Sequence, residues 1–92
     1  MIYDVEWIET AQQDLAAILE RAGDAERFAI ASVVARINDR LAVAPYTQGE
    51  SRLPHDIRIL FELPLTVRYR IERSGGTILV LRARMVQKRP RQ

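Results

Sequence analysis

Arginine supplies most of the chemistry this chain can offer. Residues 51–92 hold ten Lys or Arg against three acids, a net of +7, whereas residues 1–50 hold four Arg against nine acids, a net of −5. Thirteen of the 14 basic residues are Arg, whose planar fork grips phosphate or carboxylate through two hydrogen bonds. Their spacing matters as much as their number. Arg68 and Arg70 flank Tyr69, Arg82 and Arg84 flank Ala83, and Arg58 sits one residue inside an apolar run. In extended chain, residues two apart share a face, so Arg58, Arg68, Arg70, Arg82 and Arg84 are expected to converge on one side of a small sheet. Arg52 lies before that sheet and Lys88 and Arg89 after it, which extends the basic surface at both ends. Three acids cannot pair with all of these, so the surface is expected to bind a polyanion or an acidic partner. The alternative is a solvated face laced with Arg–Glu pairs across strands.

Proton transfer has fewer candidates. His55 is the single histidine and the one side chain whose ordinary pKa suits general acid–base work near neutrality. His55, Arg68 and Arg82 are the candidate catalytic residues, His55 for proton transfer and the two arginines for holding an anion. Glu62 could act as a base only with a raised pKa, and neighbouring arginines would lower it, so a structural role suits it better. With no cysteine and one histidine, the sequence suggests neither a metal site nor a cofactor, and it contains no glycine-rich phosphate loop.

The elements that must hold these side chains can be read from periodicity. Tyr3, Val5 and Trp7 alternate with Asp4 and Glu6 as a short strand. Thr10 and Gln13 form a capping-box pattern that starts a helix, with an apolar stripe of Ala11, Leu15, Ile18, Leu19 and Ala22. Gly23 stops it, and Asp24 caps a second helix whose stripe is Ile30, Val33, Val34, Ile37 and Leu41, with Phe28 near its start and Pro45 at its end. Residues 44–56 read as a long loop. Three strands follow, with Leu63-Pro64 and Ser74-Gly75-Gly76 as the connections. In the first of them Ile57, Ile59 and Phe61 are expected to face the helices. In the second, Leu65, Val67, Tyr69 and Ile71 take that face, and the third begins as the continuous apolar run Thr77–Leu81. The expected fold is α+β: one domain over residues 1–92, an N-terminal strand, an αα-hairpin and a mainly antiparallel three-strand meander, β-α-α-β-β-β.

These residues, in this order, resemble the RelE/ParE superfamily, the toxins of bacterial type II toxin–antitoxin modules. Trp7, Ala11, Asp14, Leu15 and Ile18 resemble its opening helix, and Pro45, Gly49 and Arg52 its loop after the hairpin. The strand Pro64–Ile71 with Tyr69 and the last strand Thr77–Ala83 complete the likeness, which spans nearly the whole chain. The resemblance implies a cognate antitoxin that wraps the toxin and a growth-inhibiting action of the kind linked to plasmid stabilisation. It also implies one of two targets: RelE-like members cleave mRNA in the ribosomal A site, and ParE-like members inhibit DNA gyrase. Thr66 and Met85 stand where RelE-like nucleases place an arginine and a histidine. A non-toxic, RNA- or DNA-binding module, or a catalytically degenerate member, is the alternative. No run approaches the length of a membrane span. The opening MIYDVEWIET has three acids in nine residues and no basic start, so a cytoplasmic protein without membrane contact is expected.

Overall fold

A computed structural model describes residues 2–46, 50–53, 57–72 and 75–86, the segment 50–53 by its backbone. The order is β1 (Asp4–Trp7), α1 (Glu9–Arg21), α2 (Asp24–Val43), β2 (Glu50–Leu53), β3 (Ile57–Glu62), β4 (Leu65–Glu72) and β5 (Thr77–Met85). The strands form one sheet in the order β1-β5-β4-β3-β2. β1 runs parallel to β5 and the other pairs are antiparallel. The expected β-α-α-β-β-β order is present, with one addition. The segment read as loop contains β2, which pairs with β3 at the sheet margin; Glu-Ser-Arg-Leu lacks the apolar alternation that announces a strand.

Both helices lie on one face of the sheet. Ile30, Val33, Ile37 and Leu41 of α2 are buried against Leu60 of β3, Leu65, Val67, Tyr69 and Ile71 of β4, and Ile78 and Val80 of β5. α1 contributes buried Ala11, with Leu15, Ile18 and Leu19 partly covered. The short α1–α2 turn is closed by Arg27, whose Nε donates to the Leu19 carbonyl at 2.9 Å. Gly23 N–H donates to the Glu26 carboxylate at 3.2 Å, so Glu26 supplies the cap expected of Asp24. α1 begins one residue before Thr10, without a side-chain cap; Gln12 instead donates to the Trp7 carbonyl at 2.7 Å. Phe28 is 79% exposed and lies outside the core stripe. Gly76 has φ +64° at the β4–β5 turn, a conformation glycine adopts without steric cost.

Two aromatic side chains tie the sheet to α2 and its C-terminal end by hydrogen bonds. Trp7 Nε1 donates to Asn38 Oδ1 at 2.8 Å. Tyr69 is fully buried, and its hydroxyl donates to the Pro45 carbonyl at 2.7 Å, just beyond the end of α2. Burial pushes the Tyr69 phenol from 10.0 up to about 12, against a smaller lowering by the Arg58 charge.

Ile37 is fully buried, so Ile37→Ala should destabilise the domain by about 2–5 kcal/mol, whereas Phe28→Ala should leave the denaturation midpoint unchanged; equal effects would invert the assigned helix face. Tyr69 supplies a pH test. An unfolded tyrosine ionises near pH 10, while folded Tyr69 keeps its proton to about 12. Between these values the unfolded chain has lost a proton that the native chain retains, so stability falls as pH rises through that window. Tyr69→Phe should flatten this alkaline limb in denaturant titrations at successive pH values.

Candidate functional site

The sheet face away from the helices carries the arginines, through a parity device that simple alternation does not contain. Ile78 and Val80 of β5 are buried on the helix side. Strict alternation would turn Arg82 and Arg84 inward beside them. Instead the β4–β5 register shifts between Arg68 and Tyr69: Tyr69 lies opposite Val80, and Arg68 opposite Arg82. Leu81 is the extra residue. Such a bulge inserts one residue and reverses parity beyond it, so Ala83 goes to the core at 8% exposed and Arg82 and Arg84 emerge on the open face. Arg68 and Arg70 reach the same face by plain alternation, with Thr66 opposite Arg84.

β3 is turned over relative to the sequence reading. Leu60, opposite Val67, is the buried residue, and Phe61 is 51% exposed. The core-side set is therefore Arg58, Leu60 and Glu62, and the open-face set is Ile57, Ile59 and Phe61. The cause is polar as well as apolar. Glu62 is 13% exposed in its side chain and sits between Arg36 Nε at 3.2 Å and Arg40 Nη1 at 3.0 Å, both from α2. That pairing gives Glu62 the structural role expected of it. Arg58 is thereby removed from the arginine face. Its guanidinium lies over the Tyr46 ring, 6.0 Å from the centroid, and Tyr46 meets Tyr3 edge-on at 6.4 Å.

Four arginines thus share the open face. Arg70 pairs loosely with Glu72 at 3.9 Å. Arg82 is clasped by Asp14 of α1, with Nε donating to Oδ2 at 2.8 Å and Nη2 to Oδ1 at 3.2 Å. Asp14 Oδ2 also accepts the Ala83 N–H at 3.0 Å. The Arg82 hydrogen bond holds the Asp14 carboxyl below the usual carboxylate range; burial opposes this, and the Ala83 N–H adds to it. Arg68 and Arg84 form no close ion pair among the described residues, although the Arg84 charge also helps to lower the Asp14 carboxyl. The two arginines line, with Thr66, Arg82 and Ile59, a shallow depression of about 240 Å³. This is smaller than the roughly 300–1,000 Å³ of small-molecule pockets, and it suits one anionic group presented by a larger partner. Beside the cations runs the apolar row Ile57, Ile59 and Phe61.

Of the remaining sequence candidates, His55, Lys88 and Arg89 lie outside the described residues, and Arg52 is placed only by its backbone, at the irregularity in β2 between Ser51 and Leu53. Arg68 and Arg82 are brought opposite each other. In the sequence Asp14 stands out only as part of the helix resemblance, with nothing local to tie it to Arg82. The bulge does have a signal: Ile78 and Val80 have the parity of Arg82 and Arg84, and both pairs cannot face the core. Among the described residues, no group of His, Cys, Asp and Glu is arranged to hold a metal ion, and no helix is long and apolar enough to cross a membrane.

No protein-family model matches the chain, and no curated protein sequence matches it. Solved structures do. The chromosomal ParDE toxin–antitoxin system of P. aeruginosa matches with a TM-score of 0.71 and 23% identity, over 94% of this chain and 98% of that one. The RelBE2 toxin–antitoxin complex of Mycobacterium tuberculosis matches at 0.68 and 22%, over 92% and 99%. The isolated RelE toxin of E. coli matches at 0.56 and 10%, over 95% and 87%. The β1-α1-α2 unit and the mixed sheet therefore share the fold of these solved ParE and RelE toxin structures.

Proposed function

We propose that this chain is the toxin of a bacterial type II toxin–antitoxin module, acting in the cytoplasm by binding its target rather than by cutting RNA. A cognate antitoxin, through an acidic segment laid across the open sheet face, would neutralise it. The fold likeness to toxins supports the module. The make-up of the depression supports the mode of action: Arg68, Arg82, Arg84 and the Thr66 hydroxyl supply cations and a hydrogen-bonding group. Cleavage of RNA also needs a general base and a general acid within hydrogen-bond reach. The two carboxylates nearest in sequence logic are committed elsewhere, Asp14 to Arg82 and Ala83 and Glu62 to Arg36 and Arg40 across the sheet. With both carboxylates so committed among the described residues, inhibition of DNA gyrase, an action that needs no proton-transfer group, is the reading we favour. Ribosome-dependent mRNA cleavage is the second reading, favoured by Arg68 and Arg84, which could stabilise a scissile phosphate.

The test is induction in a permissive host, with DNA supercoiling and protein synthesis followed separately. Growth arrest with loss of supercoiling before any fall in translation is expected. Early arrest of translation with intact supercoiling would move the target to the ribosome, and normal growth would leave a non-toxic binding module. The double variant Arg68→Glu/Arg84→Glu should keep the wild-type melting temperature, since both side chains are exposed, and should abolish toxicity. Undiminished toxicity in that folded variant would remove the open face from the mechanism.

A further inference from the structure

The edge of β5 presents an unusual solution to a backbone problem. β1 ends at Trp7, and the last bond from that side is Ile8 N–H to the Val80 carbonyl at 3.1 Å. Beyond it no strand among the described residues lies on the outer side of β5, and the Leu81 bulge falls at this point. α1 passes along the open edge, and Asp14 fills the gap. One carboxylate oxygen takes both the Ala83 N–H at 3.0 Å and Arg82 Nε at 2.8 Å, and the other takes Arg82 Nη2 at 3.2 Å. Arg82 spends only its inner edge on this contact. Nη1 and the second hydrogen of Nη2 remain, and Arg82 lines the depression with Arg68 and Arg84.

We propose that Asp14 is a positioning residue for the binding face: it pins the β5 bulge through Ala83 and holds Arg82 so that its outer guanidinium edge meets an oxyanion in the depression. The inference rests on the reading of that face as the seat of an acidic protein segment. A free arginine loses side-chain entropy when it grips an anion. A clasped one has lost much of it beforehand, so a carboxylate gains a preset fork. Asp14 also partly neutralises Arg82, so the positioning effect must be measured at constant charge.

Asp14→Asn and Asp14→Ala provide this comparison, because both remove the same charge. Asparagine keeps a carbonyl oxygen for the Ala83 N–H and for one Arg82 donor, whereas alanine keeps neither. The purified full chain and both variants are titrated with a short oligoglutamate peptide at several salt concentrations, and Ala83 amide exchange is followed by NMR. Asp14→Ala should exchange the Ala83 amide faster than Asp14→Asn. It should also bind the peptide about fivefold more weakly, the worth of a typical net hydrogen bond, with a shallower salt dependence. Equal affinity and equal salt dependence in the two variants overturn the proposal. Should Asp14→Ala fail to fold, Asp14→Glu serves: it keeps the charge, yet its longer stem cannot hold all three contacts at once. Weaker peptide binding than wild type is then expected, and wild-type binding overturns the proposal. A wild-type chain that ignores the peptide overturns the reading of the face and the inference with it, an outcome distinct from equal variants. Running the same series with a single-stranded oligonucleotide separates carboxylate from phosphodiester, and a difference confined to the oligonucleotide overturns the acidic-segment assignment.

Discussion

Every buried or half-buried backbone donor needs an acceptor, and among the described residues no strand provides one along the outer edge of β5 beyond Val80. The three contacts of Asp14 answer that need, and much of the open face follows from them. With Ala83 held, the chain can insert Leu81 as a bulge and still close the core with Ala83. With the bulge in place, Arg82 and Arg84 leave the helix side and join Arg68. An uninterrupted strand would bury two guanidinium groups beneath α1, where unpaired charge is expensive. The bulge therefore resolves a conflict between a strand that must cross the sheet and side chains that must not enter the core.

The two faces of the sheet obey different rules. On the helix side, polar groups are few and most are matched, although Arg58 Nε is buried without a hydrogen-bond partner among the described residues. Tyr69 reaches the Pro45 carbonyl, Trp7 reaches Asn38, and Glu62 sits between Arg36 and Arg40. These contacts select one register for β3 and β4, because a slip of one residue would turn Glu62 away from both arginines and Leu60 out of the core. On the open side, Arg68 and Arg84 form no close ion pair among the described residues, and like charges lie close together. That side gains little for the isolated domain, and its design makes sense when an anion arrives.

The sequence displayed the helix hairpin well, because Ile30, Val33, Ile37 and Leu41 keep a period near 3.6 and all four are buried. β4 was equally legible, since Leu65, Val67, Tyr69 and Ile71 alternate without a break. β3 was misread. Ile57, Ile59 and Phe61 form the more apolar set, but the Glu62 pairing with α2 and the packing of Leu60 outweigh it, and both are tertiary facts with no local signal. β2 was invisible because an edge strand needs no alternating apolar face. The arginine face itself was anticipated for Arg68 and Arg70 by correct parity. For Arg82 and Arg84 the expectation omitted the bulge on which their placement depends.

The apolar row beside the cations narrows the kind of partner. Ile57, Ile59 and Phe61 lie on the open face one strand from Arg68 and Arg70, and Phe61 is 51% exposed. A nucleic-acid backbone uses cations but gains little from a stripe of isoleucines, and base stacking needs aromatic platforms, of which this row has one. An amphipathic acidic segment fits both rows at once, with apolar side chains over β3 and carboxylates over β4 and β5. Burial of the apolar row would supply affinity, while the arginines set orientation and speed of encounter. Such a segment needs no fold of its own before binding, and its ordering cost is met at the interface. The two rows are therefore compatible with the proposed acidic segment, one carboxylate of which would fit the depression lined by Arg68 and Arg84.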